Sequence, residues 1–221
     1  MTDLQQWEAM FEQFIEAQMA DADAAHDMEH IRRVVKSAKQ LAVVENARLD
    51  VVVPAAWLHD CVTVAKNSPQ RSQASRMAAE AAAQFLGDIS YPAATIPAIQ
   101  HAIICHSFSA NIAPETIEAQ VVQDADRLDA IGAIGISRCL MLSVSFSRHL
   151  YHPDDPFPMG GKRPLNNKRP LNDKKYAIDH FYTKLLTLGG TMKTAAGRAE
   201  AQQRTQFMDD FLTQLGREIE N

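Results

Sequence analysis

Five of the eight histidines stand close to carboxylates at spacings that could build a reactive centre. His26 and His30 are four apart, so on a helix they share a face. His59 and Asp60 are adjacent at the end of the apolar run "AAWLHDCV". His101 and His106 fall near the end of another apolar segment, and Asp124, Asp126 and Asp129 stand at the head of a third. Imidazole nitrogen with carboxylate oxygen, and no thiolate, suits a divalent first-row cation. Two or three histidines with an aspartate leave positions open to water, the pattern of a catalytic rather than a structural metal. Each piece alone has a plainer reading: a core histidine satisfied by a hydrogen bond, or an aspartate capping a helix. Their order is harder to explain that way. A helix-borne histidine is followed about thirty residues on by His-Asp, then by an aspartate on a later helix. Asp60 and Asp126 inside apolar helices would be costly without a partner, and a cation removes that cost.

The elements that must hold these groups read as helices almost throughout. Trp7, Met10, Phe11, Phe14 and Ile15 recur at helical spacing over 4–20. Asp27 is placed to cap a helix with the apolar stripe Ile31, Val34, Val35, Ala38, Leu41 and Ala42. "VVVPAAWLHD" opens a third, with Pro54 expected in its first turn. "SRMAAEAAAQFLG" and "YPAATIPAIQHAIICHS" give two more. "DADRLDAIGAIGISRCLMLSVSF" reads as one long, central, buried helix, and further helices are expected over about 175–188 and 194–218. No alternating strand pattern, phosphate-binding loop or dinucleotide fingerprint is present. The fold class is all-α: a helical bundle taken as one domain over 1–221, its core at about 22–147 and its helices at 175–218 packed on that core.

Composition narrows the function. Hydrophobic residues are 46% and charged residues 22% of the 221, an ordinary globular balance. The net charge of -5 gives no pull toward nucleic acid or an anionic membrane. No apolar run reaches the roughly 18–20 residues of a membrane span, and the N-terminus is acidic and amphipathic, unlike a signal peptide. Cys61, Cys105 and Cys139 are too few and too scattered for a disulfide framework. The expectation is a cytoplasmic protein with reduced thiols, with a homodimer left open.

One region breaks the helical rhythm. Residues 148–175 hold Pro153, Pro156, Pro158, Pro164 and Pro170, a Gly160-Gly161 pair and many basic side chains. Within it "KRPLNN" is followed directly by "KRPLND", a tandem duplication of Lys162–Asn167 in Lys168–Asp173. Proline opposes helix here, so a long exposed loop is expected, either a binding loop or a plain solvated insertion.

The segments "HDMEHIRRV", "AAWLHDCV" and "VVQDADRLDAIGAIGISR", with "SFSAN" and "YAIDHFYTKLLTL", together resemble the HD-domain metal-dependent phosphohydrolase superfamily, and within it the small single-domain bacterial branch. The resemblance covers nearly the whole chain. It implies a metal held by His30, His59, Asp60 and Asp126. Asp124 and Asp126 are about 200° apart on a helix, so both cannot serve one ion. Asp126, with Ala130 and Ala133 beside it, matches the family motif; Asp124 is left as a cap and Asp129 as an outer partner or substrate contact. His101 and His106 are about 140° apart and poor joint ligands. One divalent ion (Mn favoured among Mn, Mg, Fe, Co, Ni and Zn) is expected, with a second, through His106, left open.

A metal-bound water attacking phosphorus is the reaction this implies, with His59 and Asp60 at its centre and His106 or Asp129 moving protons. Lys66, Asn67 and Arg71 follow the His-Asp pair and could meet phosphate oxygens; His26 is a further candidate contact. "HDCVTVAKN" lacks the acidic residue that many nucleotidase-like relatives carry after His-Asp. That disfavours a monophosphatase, and the resemblance then points to nucleoside or deoxynucleoside triphosphates. The competing readings are a metal- and nucleotide-binding regulatory domain that turns nothing over, and a helical interaction module.

Overall fold

The computed structural model describes residues 3–18, 27–62, 64, 71–107, 110–157 and 169–220. Among these the chain is all-α, with no strand and one isolated bridge between His149 and Tyr176. The helices are α1 (Asp3–Gln18), α2 (Met28–Glu45), α3 (Leu49–Leu58), α4 (Ala74–Asp88), α5 (Ile96–His106), α6 (Ile117–Asp129), α7 (Gly132–Ser145), α8 (Ala177–His180), α9 (Leu186–Leu188) and α10 (Ala195–Glu220). A π-helical turn, Phe181–Leu185, joins α8 to α9. The chain divides into two compact units, one of residues 1–126 with 193–197, the other of 127–192 with 198–221.

In the first unit α3 is the axis. Every residue from Val51 to Leu58 is buried, and α1, α2 and α5 pack around it. Its helix begins at Leu49, so Pro54 lies in the interior rather than in the first turn. Proline has no N–H to give the carbonyl four residues back, which is that of Asp50. The Tyr91 hydroxyl donates to it instead, at 2.8 Å, which lets the helix run on to His59. On α2, Asp27 is the N-cap and accepts from the His30 backbone N–H at 2.9 Å. Ile31, Val34, Val35, Ala38, Leu41 and Ala42 are all buried. Helix α1 is fastened through Glu8, which pairs with Lys39 and accepts from the Trp57 indole at 3.2 Å. Its Trp7 and Phe11 rings meet Tyr91 edge-on.

The long helix expected from Asp124 onward is two helices. α6 starts seven residues earlier, at Ile117, and ends at Asp129; α7 starts at Gly132. Gly132 has φ +73, a left-handed value that a side chain would resist, and it leaves α-helical register there. A Cβ at Gly135 would collide with the Ala130 carbonyl, so this second glycine lets the chain turn tightly back. α7 is also not buried all round: Ile134, Met141 and Val144 are exposed, the last at 79%. Its apolar composition fills one face only.

The second unit is built on Ile131, Ile136, Ile178, Phe181, Leu185, Leu188 and Met208, all buried. The second copy of the duplicated motif is partly within the described residues. Arg169 grips the fully buried Asp179 with both terminal nitrogens, at 2.6 and 2.7 Å, and the Asn172 N–H donates to the same carboxylate at 2.6 Å. The first copy, Lys162–Asn167, lies outside the described residues.

Candidate metal centre

Four helix ends converge in the first unit. His30 lies in the first turn of α2, where the Asp27 cap fixes the backbone. His59 and Asp60 stand immediately after α3, carried by its buried stem. His106 is the last residue of α5. Asp126 lies in the last turn of α6. Donor atoms of His30, His59 and Asp60 all lie within 4.8 Å of one another. Asp126 Oδ1 is 3.6 Å from His30 Nε2 and 3.8 Å from His59 Nε2. Asp60 Oδ2 is 3.6 Å from His59 Nε2 and 4.0 Å from His30 Nε2, and its other oxygen, Oδ1, is 3.4 Å from His106 Nε2.

Two of these imidazoles have their tautomer set by a carbonyl. His59 Nδ1 lies 2.8 Å from the Ala56 oxygen, and His106 Nδ1 lies 2.6 Å from the Ile103 oxygen. A carbonyl only accepts, so each Nδ1 must carry the proton. The neutral His59 ring then presents a bare Nε2 lone pair. That atom is buried and has no hydrogen-bond partner. A stranded buried acceptor costs about 1–3 kcal/mol unless something fills its lone pair. A divalent cation would do so, and the nitrogen–oxygen donor set around it fits one.

The electrostatics agree with that placement. Burial lowers the His59 imidazole below its ordinary value, against the pull of the Asp60 charge. Burial also opposes ionisation of Asp60, but His59, His106 and His30 outweigh it and hold this carboxyl well below the usual range. For His106 burial acts downward, and the contact with Asp60 overcomes it, leaving the imidazole raised. The site thus keeps Asp60 as an anion and His59 as a neutral ligand at neutral pH.

The other residues singled out from sequence lie elsewhere or have other partners. His26, Lys66 and Asn67 lie outside the described residues, as does the side chain of Arg71, whose backbone opens a short 3-10 turn at Arg71–Gln73. His101 is turned to other work: its Nε2 accepts from the Glu115 N–H at 3.2 Å, and its ring contacts the Cys105 thiol. Asp129 belongs to the second unit, where Arg138 Nη1 binds its carboxylate at 2.6 Å. Asp124, expected as a cap, bonds no N–H of its own helix. Buried completely, it accepts from the N–H groups of Lys193 and Thr194 and from the Thr194 hydroxyl, at 2.8 to 3.1 Å, and so holds the two residues that precede α10, where the Thr194 oxygen in turn accepts from the Gly197 N–H. Sequence reasoning passed over Gln123, buried on α6 between Asp124 and the Val121–Val122 pair, with Nε2 2.6 Å from the Cys105 carbonyl. Its signal was a lone amide within a buried helical stripe, too weak to single out.

Residues 27–131 match the HD domain family. The chain is 30% identical over 210 residues to the protein YpgQ of Bacillus subtilis, covering 93% of this chain and 90% of that one. The crystal structure of YpgQ in complex with ADP superposes with a TM-score of 0.71 over 99% of this chain and 97% of that chain. A structure from Lactobacillus plantarum, 33% identical, gives 0.71 over 99% and 98%. A structure from Bacillus thuringiensis described as an HD-superfamily hydrolase, 29% identical, gives 0.72 over 97% of both chains. The chain, with its His-Asp pair at 59–60, is a member of the HD-domain superfamily. Among its described residues no single helix is long and apolar enough to cross a membrane.

Proposed function

We propose that the protein is a metal-dependent phosphohydrolase acting on nucleoside or deoxynucleoside triphosphates. The observation that carries the reading is the unpartnered, buried Nε2 of His59 at the meeting point of His30, Asp60 and Asp126. A divalent ion bound there would supply Lewis acidity and acidify a water molecule. His30, His59, Asp60 and Asp126 would hold it; the mixed imidazole and carboxylate set accepts several divalent first-row ions, of which we take Mn²⁺. His106 is fixed through Nδ1, so any proton it takes or gives passes through Nε2, on the side of Asp60. Set 3.4 Å from Asp60, it is the group we assign to move a proton in the reaction. A nucleotide as substrate is supported by the relative solved with ADP.

The second reading is a metal- and nucleotide-binding domain without turnover. Its support is the absence of an acidic side chain in "CVTVAKN", the segment after Asp60. A panel of nucleoside mono-, di- and triphosphates with Mn²⁺, scored for phosphate and pyrophosphate release, separates the two. Pyrophosphate from triphosphates, lost in Asp60→Ala, is the expected result. Release from monophosphates alone would overturn the substrate. Tight nucleotide binding with no product over hours would favour the second reading.

A further inference from the structure

Helix α5 ends at His106, so the carbonyls of its last turn have no partners within the helix. Two of them are taken up in ways that bear on His106. The Ile103 oxygen receives the His106 ring Nδ1–H, which sets the ring's tautomer and direction. The Cys105 oxygen, one peptide before His106, receives Gln123 Nε2 at 2.6 Å. Gln123 lies on α6 three residues, close to one turn, before Asp126. A single side-chain amide therefore ties the last turn of α5 to the helix that delivers Asp126.

As a device for stability alone this amide is poor. Gln123 is buried, and its Oε1 has no hydrogen-bond partner. One bond is made and one acceptor is stranded, and these effects oppose each other in the folding balance. An aliphatic side chain of similar volume would fill the space as well. What leucine could not do is hold the Cys105 carbonyl, and with it the position of the His106 ring 3.4 Å from Asp60.

We infer that Gln123 is a positioning residue for His106: it locks the C-terminal turn of α5 against α6 so that His106 Nε2 stays directed at Asp60. The inference rests on the phosphohydrolase reading, in which His106 moves a proton. Gln123 makes its hydrogen bond to the Cys105 carbonyl and none to the four candidate ligands.

The test is a double-substitution cycle, with turnover, Mn²⁺ affinity and the His106 ring signals as readouts. Gln123→Leu should lower kcat about tenfold, as expected for loss of an orienting hydrogen bond. KM and Mn²⁺ affinity should stay within about twofold of the parent, because the metal-holding side chains keep their own supports. In a His106→Ala background the same change should cost nothing further. Equal losses in both backgrounds, or a parent-like kcat in Gln123→Leu, would overturn the inference. Gln123→Met serves in its place if the leucine variant does not fold. If the parent protein hydrolyses no nucleotide, the phosphohydrolase reading fails on its own. The positioning is then read from the ¹H–¹⁵N spectrum of the His106 ring. Shifted or broadened His106 signals in Gln123→Leu uphold it, and an unchanged ring overturns it.

Discussion

Two carboxylate sites, one in each unit, are built on opposite terms. Asp179 in the second unit is fully buried, and both of its oxygens are consumed: Arg169 grips it with two nitrogens and the Asn172 N–H adds a third bond. At the His-Asp centre of the first unit nothing closes in this way. His59 Nε2 has no donor or acceptor, and Asp60 and Asp126 keep 32% and 27% of their side-chain surface accessible. Charge is compensated at the first site by the protein itself. At the second the charges are gathered and left for something else to complete. The lesson concerns how polar groups in a core are read. A saturated buried ion pair speaks of structure, and an unsaturated cluster of ligand-type atoms speaks of binding.

The largest expected effect is at the unsaturated site. Asp126→Ala should abolish nucleotide hydrolysis and bound Mn²⁺ together while circular dichroism stays near the parent's and melting near that of the parent stripped of metal, since the stabilisation lost is that of the bound ion. An active, metal-free Asp126→Ala protein would remove the functional half of the comparison. Next in size is the saturated pair. Arg169→Met strands the Asp179 carboxylate, and breaking a buried pair from one side costs about 3–5 kcal/mol. The melting temperature should fall by roughly 6–20 °C for a chain of this length. Metal affinity should hold in the protein that remains folded. A melt within a degree or two of the parent's would show that the clamp does not support the fold.

A smaller effect tests the other saturated carboxylate. A Cβ at Gly197 would run into Asp124 Oδ2 and the Thr194 hydroxyl. Gly197→Ala should cost about 1–3 kcal/mol of stability in denaturant titrations, the range for a crowded core site. The smallest is a matter of pH. Burial lowers the His180 imidazole below its ordinary value despite the bond to Asp173. A histidine depressed in the folded state contributes its full stability above the unfolded value of about 6.5 and loses it as pH falls through that value toward the folded one. Melting curves between pH 7.5 and 5.5 should therefore decline more steeply for the parent than for His180→Gln. Parallel curves would show that His180 makes no such contribution.

Much of the first unit was legible residue by residue. The Asp27 cap, the apolar stripe of α2 and the buried run of α3 are all local patterns, and each appears where its spacing places it. The set His30, His59, Asp60 and Asp126 is a different case: spacing offered these residues among other histidines and aspartates near helix ends, and the family resemblance picked out the four. Pro54 was misplaced by one and a half turns because the partner that relieves it, Tyr91, is 37 residues further along. The break between α6 and α7 was missed because Ala130, Ile131 and two glycines are all compatible with an apolar helix. Only the positive φ of Gly132 and the close approach of the Ala130 carbonyl to Gly135 end it.

Local spacing, then, is enough to say that this chain is helical and that certain imidazoles and carboxylates stand at helix ends, because periodicity and capping act within a few residues. It does not say which of two near neighbours does which work. Asp124 and Asp126 are alike in sequence and differ only in what arrives from elsewhere: the start of α10 meets one, and His30 and His59 meet the other. Arg169 is likewise indistinguishable from Arg163 in the duplicated motif, until Asp179 comes within reach of it. Side-chain roles of this kind are decided by partners distant in sequence, and those exist only once the chain has packed.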